Sequence, residues 1–219
     1  MHEEYISTHL EKSPDSLEEA EMIIASLRSE IARLQIRIDY DAKTGLLSSD
    51  SFNEFSKYLH ATKEHFDTLD EHQKAQEPLH IIVVIDLNNL KVINESRGYA
   101  AGDLAIKSAA YSLNSVIREE DKLFRINIAG DEFIGIIKLS NNMQQHNSFA
   151  KEITDRMRKT VSEDSEGTLS VAVGYSILEY SVDLEDAQVN AENQMKADKA
   201  KQKKNKNKDE SEYMLNIFF

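Results

Sequence analysis

Cysteine and tryptophan are absent from the 219-residue chain, and proline occurs only twice. Without cysteine there are no disulfides and no thiolate metal sites, which suits a reducing compartment. No stretch approaches the roughly 18 consecutive apolar residues of a membrane-spanning helix. The N-terminus is acidic and lacks the apolar core of a signal peptide. We therefore expect a soluble, cytoplasmic protein that does not enter a membrane.

A broad basic surface is also missing, because the net charge is −13. A general nucleic-acid binder needs such a surface to hold phosphates, so we expect no nucleic-acid partner. Lysine is nevertheless concentrated near the C-terminus. These lysines are Lys196, Lys199, Lys201, Lys203, Lys204, Lys206 and Lys208. The run fits a solvated helical face, and it also fits a site that binds a small polyphosphate.

The composition that is present, 40% hydrophobic and 30% charged, is typical of one domain with a packed core plus an appendage. Residues 1–15 are polar and predicted to be a flexible tail. After Ser16, apolar residues recur at alternating steps of three and four. They are Leu17, Ala20, Ile24, Leu27, Ile31, Leu34 and Ile38. This pattern favours a parallel two-stranded coiled coil, and a single helix packed on its own domain is the alternative. We predict a dimerisation helix over residues 16–40.

The heptad pattern ends at Asp41, and elements of a mixed domain follow. Thr44-Gly45 predicts a turn, and a helix capped by Ser48, Ser49 or Asp50 should run to about Thr68. Residues 79–87 form an apolar run typical of a central strand covered on both faces. Further elements are a short helix carrying Lys91 and Asn94, helices at about 103–118, 141–163 and 184–204, and strands at 122–128, 133–138, 168–177 and 213–219. This order predicts an α+β fold, with a central sheet and helices on one face.

Two acids follow the predicted turn Ala129-Gly130 of a β-hairpin. Asp131 and Glu132 would repel each other unless a cation or basic group lay between them, although the stretch alone also fits a solvated acidic hairpin tip. Asp86 ends the buried strand, where functional groups of open α/β sheets commonly lie. Carboxylates facing each other across adjacent strands suit Mg²⁺, which prefers hard oxygen ligands. The residues therefore support a metal site for phosphate chemistry.

Five separated motifs strengthen this interpretation, because their order and spacing resemble those of one known family. Asp41-Ala-Lys-Thr-Gly-Leu-Leu-Ser-Ser resembles D-x-L-T-G-L-x-N-R, and Asp86-Leu-Asn-Asn-Leu-Lys-Val-Ile-Asn94 resembles D-x-D-x-F-K-x-I-N. Gly98-Tyr-Ala-Ala-Gly-Asp103 resembles G-H-x-x-G-D, and Ala129-Gly-Asp-Glu-Phe133 resembles G-G-D-E-F. Ala191-Glu-Asn-Gln-Met-Lys-Ala-Asp-Lys199 resembles A-D-x-A-M-Y-x-A-K. The sequence is thus similar to the GGDEF domain, the palm-like catalytic module of diguanylate cyclases, and we assign residues 41–219 to it.

The resemblance implies a role for each acid. Asp86 and the Leu87 carbonyl would bind Mg²⁺ or Mn²⁺, together with Asp131 and Glu132. Asp131 would also help to deprotonate the ribose 3′-hydroxyl. Lys91 would stabilise the pentavalent phosphorus during transfer.

The resemblance also implies substrate contacts. Asn94 and Asp103 would read guanine, since a carboxylate accepts from N1–H and N2–H₂, which favours GTP over ATP. Taken alone, Asp103 also fits an acid at a helix N-terminus. Lys199 and Lys203 would hold the β- and γ-phosphates. The remaining substrate-binding positions are Leu90, Tyr99, Ala129 and Gly130, of which Gly130 lets the backbone approach phosphate closely.

Arg118 and Asp121 resemble the family's R-x-x-D inhibitory site, which binds cyclic di-GMP. An ion pair at the end of a helix is the alternative for these two residues. In register with the other motifs, they lead us to expect product inhibition.

The sequence departs from the family pattern at several places. Ala129 replaces the first glycine, and the stretch from Arg125 to Ala129 is two residues longer than R-x-G-G. Ser48-Ser49 replaces Asn-Arg, Tyr99 replaces histidine, and Leu90 replaces phenylalanine. We still expect a homodimeric diguanylate cyclase that condenses two GTP into cyclic di-GMP and two pyrophosphates. The alternatives are a degenerate module that senses GTP or cyclic di-GMP, and a palm-type cyclase with another base preference.

Overall fold

One four-stranded antiparallel sheet forms the centre of the computed structural model. The structure describes residues 16–74, 79–126, 130–139, 146–179 and 183–218, except for the side chains of Glu71 and of residues beyond 205. The strands are β1 (His80–Leu87), β2 (Lys122–Arg125), β3 (Glu132–Lys138) and β4 (Val171–Leu178). They lie in the order β2-β3-β1-β4, and every neighbouring pair is antiparallel. The prediction of a central strand at residues 79–87 is confirmed.

Seven helices are described around this sheet. They are α1 (Leu17–Asp39), α2 (Ser49–Asp67), α3 (Glu71–Lys74), α4 (Leu90–Arg97), α5 (Tyr99–Val116), α6 (His146–Asp164) and α7 (Leu184–Phe218). Ser16 caps α1 by accepting a hydrogen bond from the backbone of Glu19, and Ser48 caps α2 in the same way from Ser51. Ser48 is one of the three caps predicted for α2.

The helices cover both faces of the sheet, so the prediction of helices on one face is wrong. Ile81, Val83 and Ile85 of β1 pack into a core with residues of α5 and α6. Ile82 and Val84 point the other way, into a second core with residues of α2 and α7. Since consecutive residues of β1 are apolar, each face of the strand requires its own cover.

Helix α5 begins earlier than predicted. It starts at Tyr99 rather than near Asp103, because Gly98 adopts φ +83° and serves both as the C-cap of α4 and as the N-cap of α5. Asp103 therefore lies inside the helix and not at its N-terminus. Leu104 is 67% exposed, whereas the neighbouring Ala105 is buried.

Helix α7 continues well beyond its predicted end near residue 204. The chain is helical to Phe218, so the predicted closing strand at 213–219 is wrong for the residues described. The apolar run within residues 213–219 is too short, and has no flanking turn, for the sequence to distinguish a strand from a helix.

Helix α1 buries none of its residues against the domain. Leu17, Ile24, Ile31, Leu34 and Ile38 of the heptad seam are all exposed in the single chain. The alternative of a helix packed along its own domain is therefore not observed.

Candidate active site

Three acids lie together at the end of the two central strands. In the β1–β3 pair, Asp86 lies directly opposite Glu132. The backbone N–H of Leu87 donates to the carbonyl oxygen of Asp131 at 3.1 Å. Asp86 lies near the end of the apolar strand β1, and its side chain is only 10% exposed. The sheet therefore fixes the relative positions of the acids predicted to bind metal.

Helix α7 brings a lysine to this group. Lys199 Nζ lies 2.5 Å from Oδ1 of Asp86. The helix lies directly on β4, where a Cβ added to Gly174 would come within 2.1 Å of the Ala191 carbonyl oxygen. This close approach places the lysine over the end of β1, beside Asp86.

Burial and neighbouring negative charge disfavour the ionised forms of Asp86 and Glu132. Burial raises the pKa of Asp86, and the charge of Asp131 adds to the rise, while the hydrogen bond from Lys199 opposes it. Burial also raises the pKa of Glu132, as do the charges of Asp86, Asp131 and Glu192. A cation bound between the acids would relieve this repulsion.

The oxygens at this end of the sheet are of the kind that Mg²⁺ prefers. Within the described ranges, these acids are not close enough to hold a metal ion by themselves, and neither is any other group of three histidine or acidic side chains. Mg²⁺ does not need such a cage, because it commonly takes one or two carboxylates and completes its shell with phosphates and water. Asp86, Asp131 and the Leu87 carbonyl offer that kind of donor set, with Glu132 beside them.

Arg125 connects the acidic turn to the first motif. Its side chain is buried, and Nη1 donates to both carboxylate oxygens of Asp41 at 3.0 and 3.1 Å. Nη2 donates to the carbonyl oxygen of Gly130 at 3.1 Å. Partial burial acts to raise the pKa of Asp41. Hydrogen bonds from Thr44 and Arg125 outweigh this effect and hold the pKa below its usual range. Sequence reasoning missed this positioning role for Arg125.

The longer hairpin is seen at its two ends. Arg125 pairs with Phe133, and the Ile126 N–H donates to the Glu132 carbonyl oxygen at 3.3 Å. Residues 127–129, including the variant Ala129, lie outside the described residues, as does the predicted end of the strand at residue 128. The hydrogen bond from Arg125 to the Gly130 carbonyl oxygen fixes the position of the chain just before Asp131.

The predicted base-reading residues lie on the consecutive helices α4 and α5. A Cβ added to Gly102 would lie 1.8 Å from Oδ1 of Asn94, so the Asn94 side chain rests against the backbone beside Asp103. Lys43 Nζ lies 2.5 Å from Oδ1 of Asp103. Sequence reasoning missed Lys43, although a charged residue at the leucine position of D-x-L-T-G-L was a visible signal.

Other predicted site residues are not drawn to the acids. Lys91 is exposed, and its Nζ lies 3.8 Å from Glu95 on its own helix. Tyr99 and Lys203 are exposed, and Leu90 is buried at the start of α4. These residues lie on the helices that follow β1 and β4, where a bound nucleotide would have to reach them.

The two residues of the predicted inhibitory site differ: Asp121 is buried and structural, whereas Arg118 is accessible. Asp121 is buried, and its carboxylate accepts from the backbone N–H groups of Arg118 and Lys138, each at 2.9 Å. The Arg118 guanidinium lies over the Phe149 ring, 5.1 Å from its centroid, and its side chain is half exposed. The contact of Asp121 is thus with the Arg118 backbone, while the guanidinium pairs with Glu120 at 3.5 Å.

Comparison with known proteins identifies the architecture. The family described as "Diguanylate cyclase, GGDEF domain" matches residues 38–206. The chain belongs to the GGDEF-domain family. Its fold matches a structure of the coiled coil and GGDEF domain of DgcB from Caulobacter crescentus in complex with c-di-GMP, with a TM-score of 0.70 at 17% identity. That match covers 84% of this chain and 92% of the DgcB chain.

Curated relatives of this GGDEF domain include cyclases and a phosphodiesterase. Diguanylate cyclase A from Treponema denticola is 33% identical over 141 residues, which are 63% of this chain and 35% of the relative. Cyclic di-GMP phosphodiesterase NbdA from Pseudomonas aeruginosa is 27% identical over 148 residues, covering 67% of this chain and 17% of the relative. The chain therefore spans about a third or less of these relatives. Of the described helices, none is long and apolar enough to cross a bilayer.

Proposed function

We propose that this GGDEF domain is a diguanylate cyclase, which joins two GTP into cyclic di-GMP and releases two pyrophosphates. The observation that carries the proposal is the group formed by Asp86 and Glu132 across β1 and β3, with Asp131 beside them and Lys199 Nζ 2.5 Å from Asp86. Acids and a lysine at one strand end suit phosphoryl transfer, which depends on positioning and on neutralising charge. The relatives named as diguanylate cyclases support the same activity.

Each half-reaction transfers a nucleotidyl group. The 3′-hydroxyl oxygen of one GTP attacks the α-phosphorus of the other, a P–O bond forms, and the bond to pyrophosphate breaks. Asp131 accepts the hydroxyl proton. Bound Mg²⁺ would neutralise the triphosphate and lower the pKa of the hydroxyl. Asp86, Asp131 and the Leu87 carbonyl would hold the ion, with Glu132 as a further acid at the cluster.

The lysines have a corresponding role. Lys199 neutralises Asp86 in the nucleotide-free chain. In the proposed complex its ammonium turns to the β- and γ-phosphates, with Lys203 one turn further along α7. Lys91 extends from α4 toward the transferring phosphorus. Asn94 and Asp103 accept the donors of guanine.

A homodimer is part of this proposal. Each domain holds one GTP, so two domains must face each other to form both phosphodiester bonds. The exposed heptad seam of α1 supplies a surface for this pairing, because burying apolar residues of two such helices stabilises a coiled coil. The matched DgcB structure includes a coiled coil beside its GGDEF domain.

The test separates chemistry from folding. The chain is incubated with GTP and Mg²⁺, and the nucleotides are separated by chromatography. Cyclic di-GMP should accumulate with the wild-type chain. Asp131→Asn should reduce its formation at least about 1,000-fold, since it removes both a metal ligand and the proton acceptor. Unaltered circular dichroism and Tm would show that the variant folds.

A second candidate function is a non-catalytic module that senses GTP or cyclic di-GMP. The longer connection between Arg125 and Glu132 favours it, because a displaced turn would aim Asp131 away from the metal. Calorimetry distinguishes the two functions. A wild-type chain that binds GTP or cyclic di-GMP but forms no dinucleotide would establish the sensor and remove the cyclase.

A further inference from the structure

Lys43 forms an unexpected contact with the proposed base-reading carboxylate. Its Nζ lies 2.5 Å from Asp103 Oδ1, although the residues are separated by 60 positions in the chain. The Lys43 side chain is 32% exposed, so its position is partly covered by protein. The first motif of the family pattern has leucine at this position, and leucine could not donate a hydrogen bond.

A hydrogen-bonded turn presents Lys43. The Asp41 N–H donates to the Leu46 carbonyl oxygen, and the Gly45 N–H donates back to the Asp41 carbonyl oxygen, both at 2.8 Å. Gly45 adopts φ +72°, which permits the tight return of the chain. Asp41 is in turn fixed by buried Arg125. The lysine is therefore held near Asp103 before any ligand arrives, which limits the entropy lost on binding.

We propose that Lys43 is a third base-recognising residue, which donates a hydrogen bond to O6 of guanine beside Asp103. This inference rests on the proposed function, because it assumes that Asp103 and Asn94 receive the base. It adds a contact at the one atom of the recognition edge that a carboxylate cannot bind. O6 is an acceptor, and it requires a donor.

The order of atoms on the guanine edge supports this placement. O6, N1–H and N2–H₂ lie side by side, so a carboxylate that accepts from N1–H and N2–H₂ has one oxygen next to O6. When Asp103 Oδ1 faces N1–H, an ammonium hydrogen-bonded to that oxygen lies on the O6 side. An ammonium has three donors, so Lys43 keeps its bond to Asp103 while it donates to O6. Each of these bonds is charge-assisted.

The same lysine disfavours adenine. Adenine carries an amino group where guanine has O6, so its N–H donors would face the ammonium of Lys43. The adenine amino group and the ammonium N–H that faces it are both donors, so neither satisfies the other, which weakens binding. Lys43 thus acts in discrimination between the two purines as well as in affinity.

The test uses nucleotides that bind but do not react. 3′-Deoxy-GTP lacks the attacking hydroxyl, and its 6-thio derivative keeps N1–H and N2–H₂ while replacing O6 by sulfur, a weaker acceptor. Binding of each to the wild-type chain and to Lys43→Met is measured by calorimetry with Mg²⁺. Lys43→Met should weaken 3′-deoxy-GTP roughly 10- to 100-fold, as for a lost hydrogen bond to a charged group. The 6-thio nucleotide should lose less than about threefold, and the preference for 3′-deoxy-GTP over 3′-deoxy-ATP should fall.

Matched variants separate recognition from charge. Lys57→Met removes the same charge from an exposed position on α2, which packs against the opposite face of the sheet from α5, and should bind 3′-deoxy-GTP as the wild type does. Lys43→Arg retains a donor and should preserve part of the guanine preference. Equal or tighter binding of 3′-deoxy-GTP to Lys43→Met would overturn the inference and leave the proposed function standing. Failure of the wild-type chain to bind 3′-deoxy-GTP would overturn both.

Discussion

At the scale of single residues, the site is a balance between buried acids and one lysine. Asp86 lies next to Lys199, while Asp131 and Glu132 add negative charge near the same strand end. When a nucleotide and its metal bind, the acids would bind the metal and Lys199 would bind the phosphates. In the ligand-free protein, Lys199 is therefore the counter-ion of Asp86 at the place where the metal is proposed to bind.

The raised pKa of Glu132 gives a prediction about stability. Since the folded state binds a proton at Glu132 more readily than the unfolded state, ionised Glu132 disfavours folding at neutral pH. Glu132→Gln should therefore increase Tm at pH 7–8. The increase should disappear as the pH falls through the raised pKa and below the ordinary range of glutamate.

Thermal unfolding of both proteins across pH 3–8 measures this effect. Glu163→Gln on α6 is a suitable control, because it removes a carboxylate from an exposed pair with Lys159. A gain in Tm for Glu132→Gln that is the same at every pH would contradict the electrostatic explanation.

Arg118 is the residue through which product inhibition can be tested. Its guanidinium is half exposed, whereas the carboxylate of Asp121 is occupied by backbone N–H groups. Arg118→Ala should raise the cyclic di-GMP concentration that halves the initial rate by roughly 10-fold or more, because a charged hydrogen-bond donor is lost. Lys151→Ala, on the helix that carries Phe149, controls for the loss of positive charge. Unchanged inhibition in Arg118→Ala would rule out this site.

The motifs pointed to candidate site residues, and the structure places some of them near one another. Asp86, Asn94 and Asp103 follow from local patterns, and the fold places the Asn94 side chain against the backbone at Gly102, next to Asp103 in the chain. The contacts of Lys43 and Arg125 could not be predicted in this way, because they join residues separated by 60 and 84 positions. Pairing over such distances is set by how α5 and β2 pack, which no local pattern encodes.

At the scale of elements, the approach of α7 to β4 determines where Lys199 lies. Gly174 permits this approach, since an added Cβ would come within 2.1 Å of the Ala191 carbonyl oxygen and 2.3 Å of the Met195 nitrogen. These are backbone atoms of the helix, and they cannot turn aside as a flexible side chain can.

Gly174→Ala should therefore displace α7 and lower stability by about 1–3 kcal/mol, as overpacking typically does. The displacement should also weaken GTP binding, because Lys199 moves with the helix. Gly135→Ala on β3 is the matched control. Its Cβ would meet Val83 Cβ at 3.6 Å, an ordinary contact, so its denaturation midpoint in urea should change much less. Equal effects of the two substitutions would contradict this account of α7.

Prediction from sequence was most reliable for elements with a strong local pattern. The apolar run of β1 and the serine cap of α2 were placed correctly. The start of α5 was missed because Gly98 both ends one helix and begins the next, so no break was visible at Tyr99. The final segment was misassigned as a strand because a short apolar run carries no decisive periodicity.

At the scale of the whole molecule, the proposal joins a catalytic domain to a dimerisation helix. The seam of α1 is exposed in the single chain, and the proposed reaction requires two domains. Replacing Ile24 and Ile31 by lysine should therefore produce a monomer, because charges at seam positions would face each other in the coiled coil.

The double variant should retain GTP binding and lose most of its cyclase activity. Molar mass from light scattering checks the assembly, and calorimetry checks the nucleotide site. Ile36→Lys is the control, since Ile36 is exposed on α1 but lies outside the heptad seam. A double variant that stays dimeric would exclude residues 16–40 as the interface.

The central claim is that the acids at the ends of β1 and β3 support nucleotidyl transfer between two GTP molecules. Phosphorus NMR of the chain incubated with GTP and Mg²⁺ tests it directly, because phosphodiester, pyrophosphate and orthophosphate give separate signals. The account predicts two pyrophosphates for each cyclic di-GMP formed, and neither signal with Asp131→Asn. GTP that binds but stays intact, or that yields GDP and orthophosphate, would contradict it.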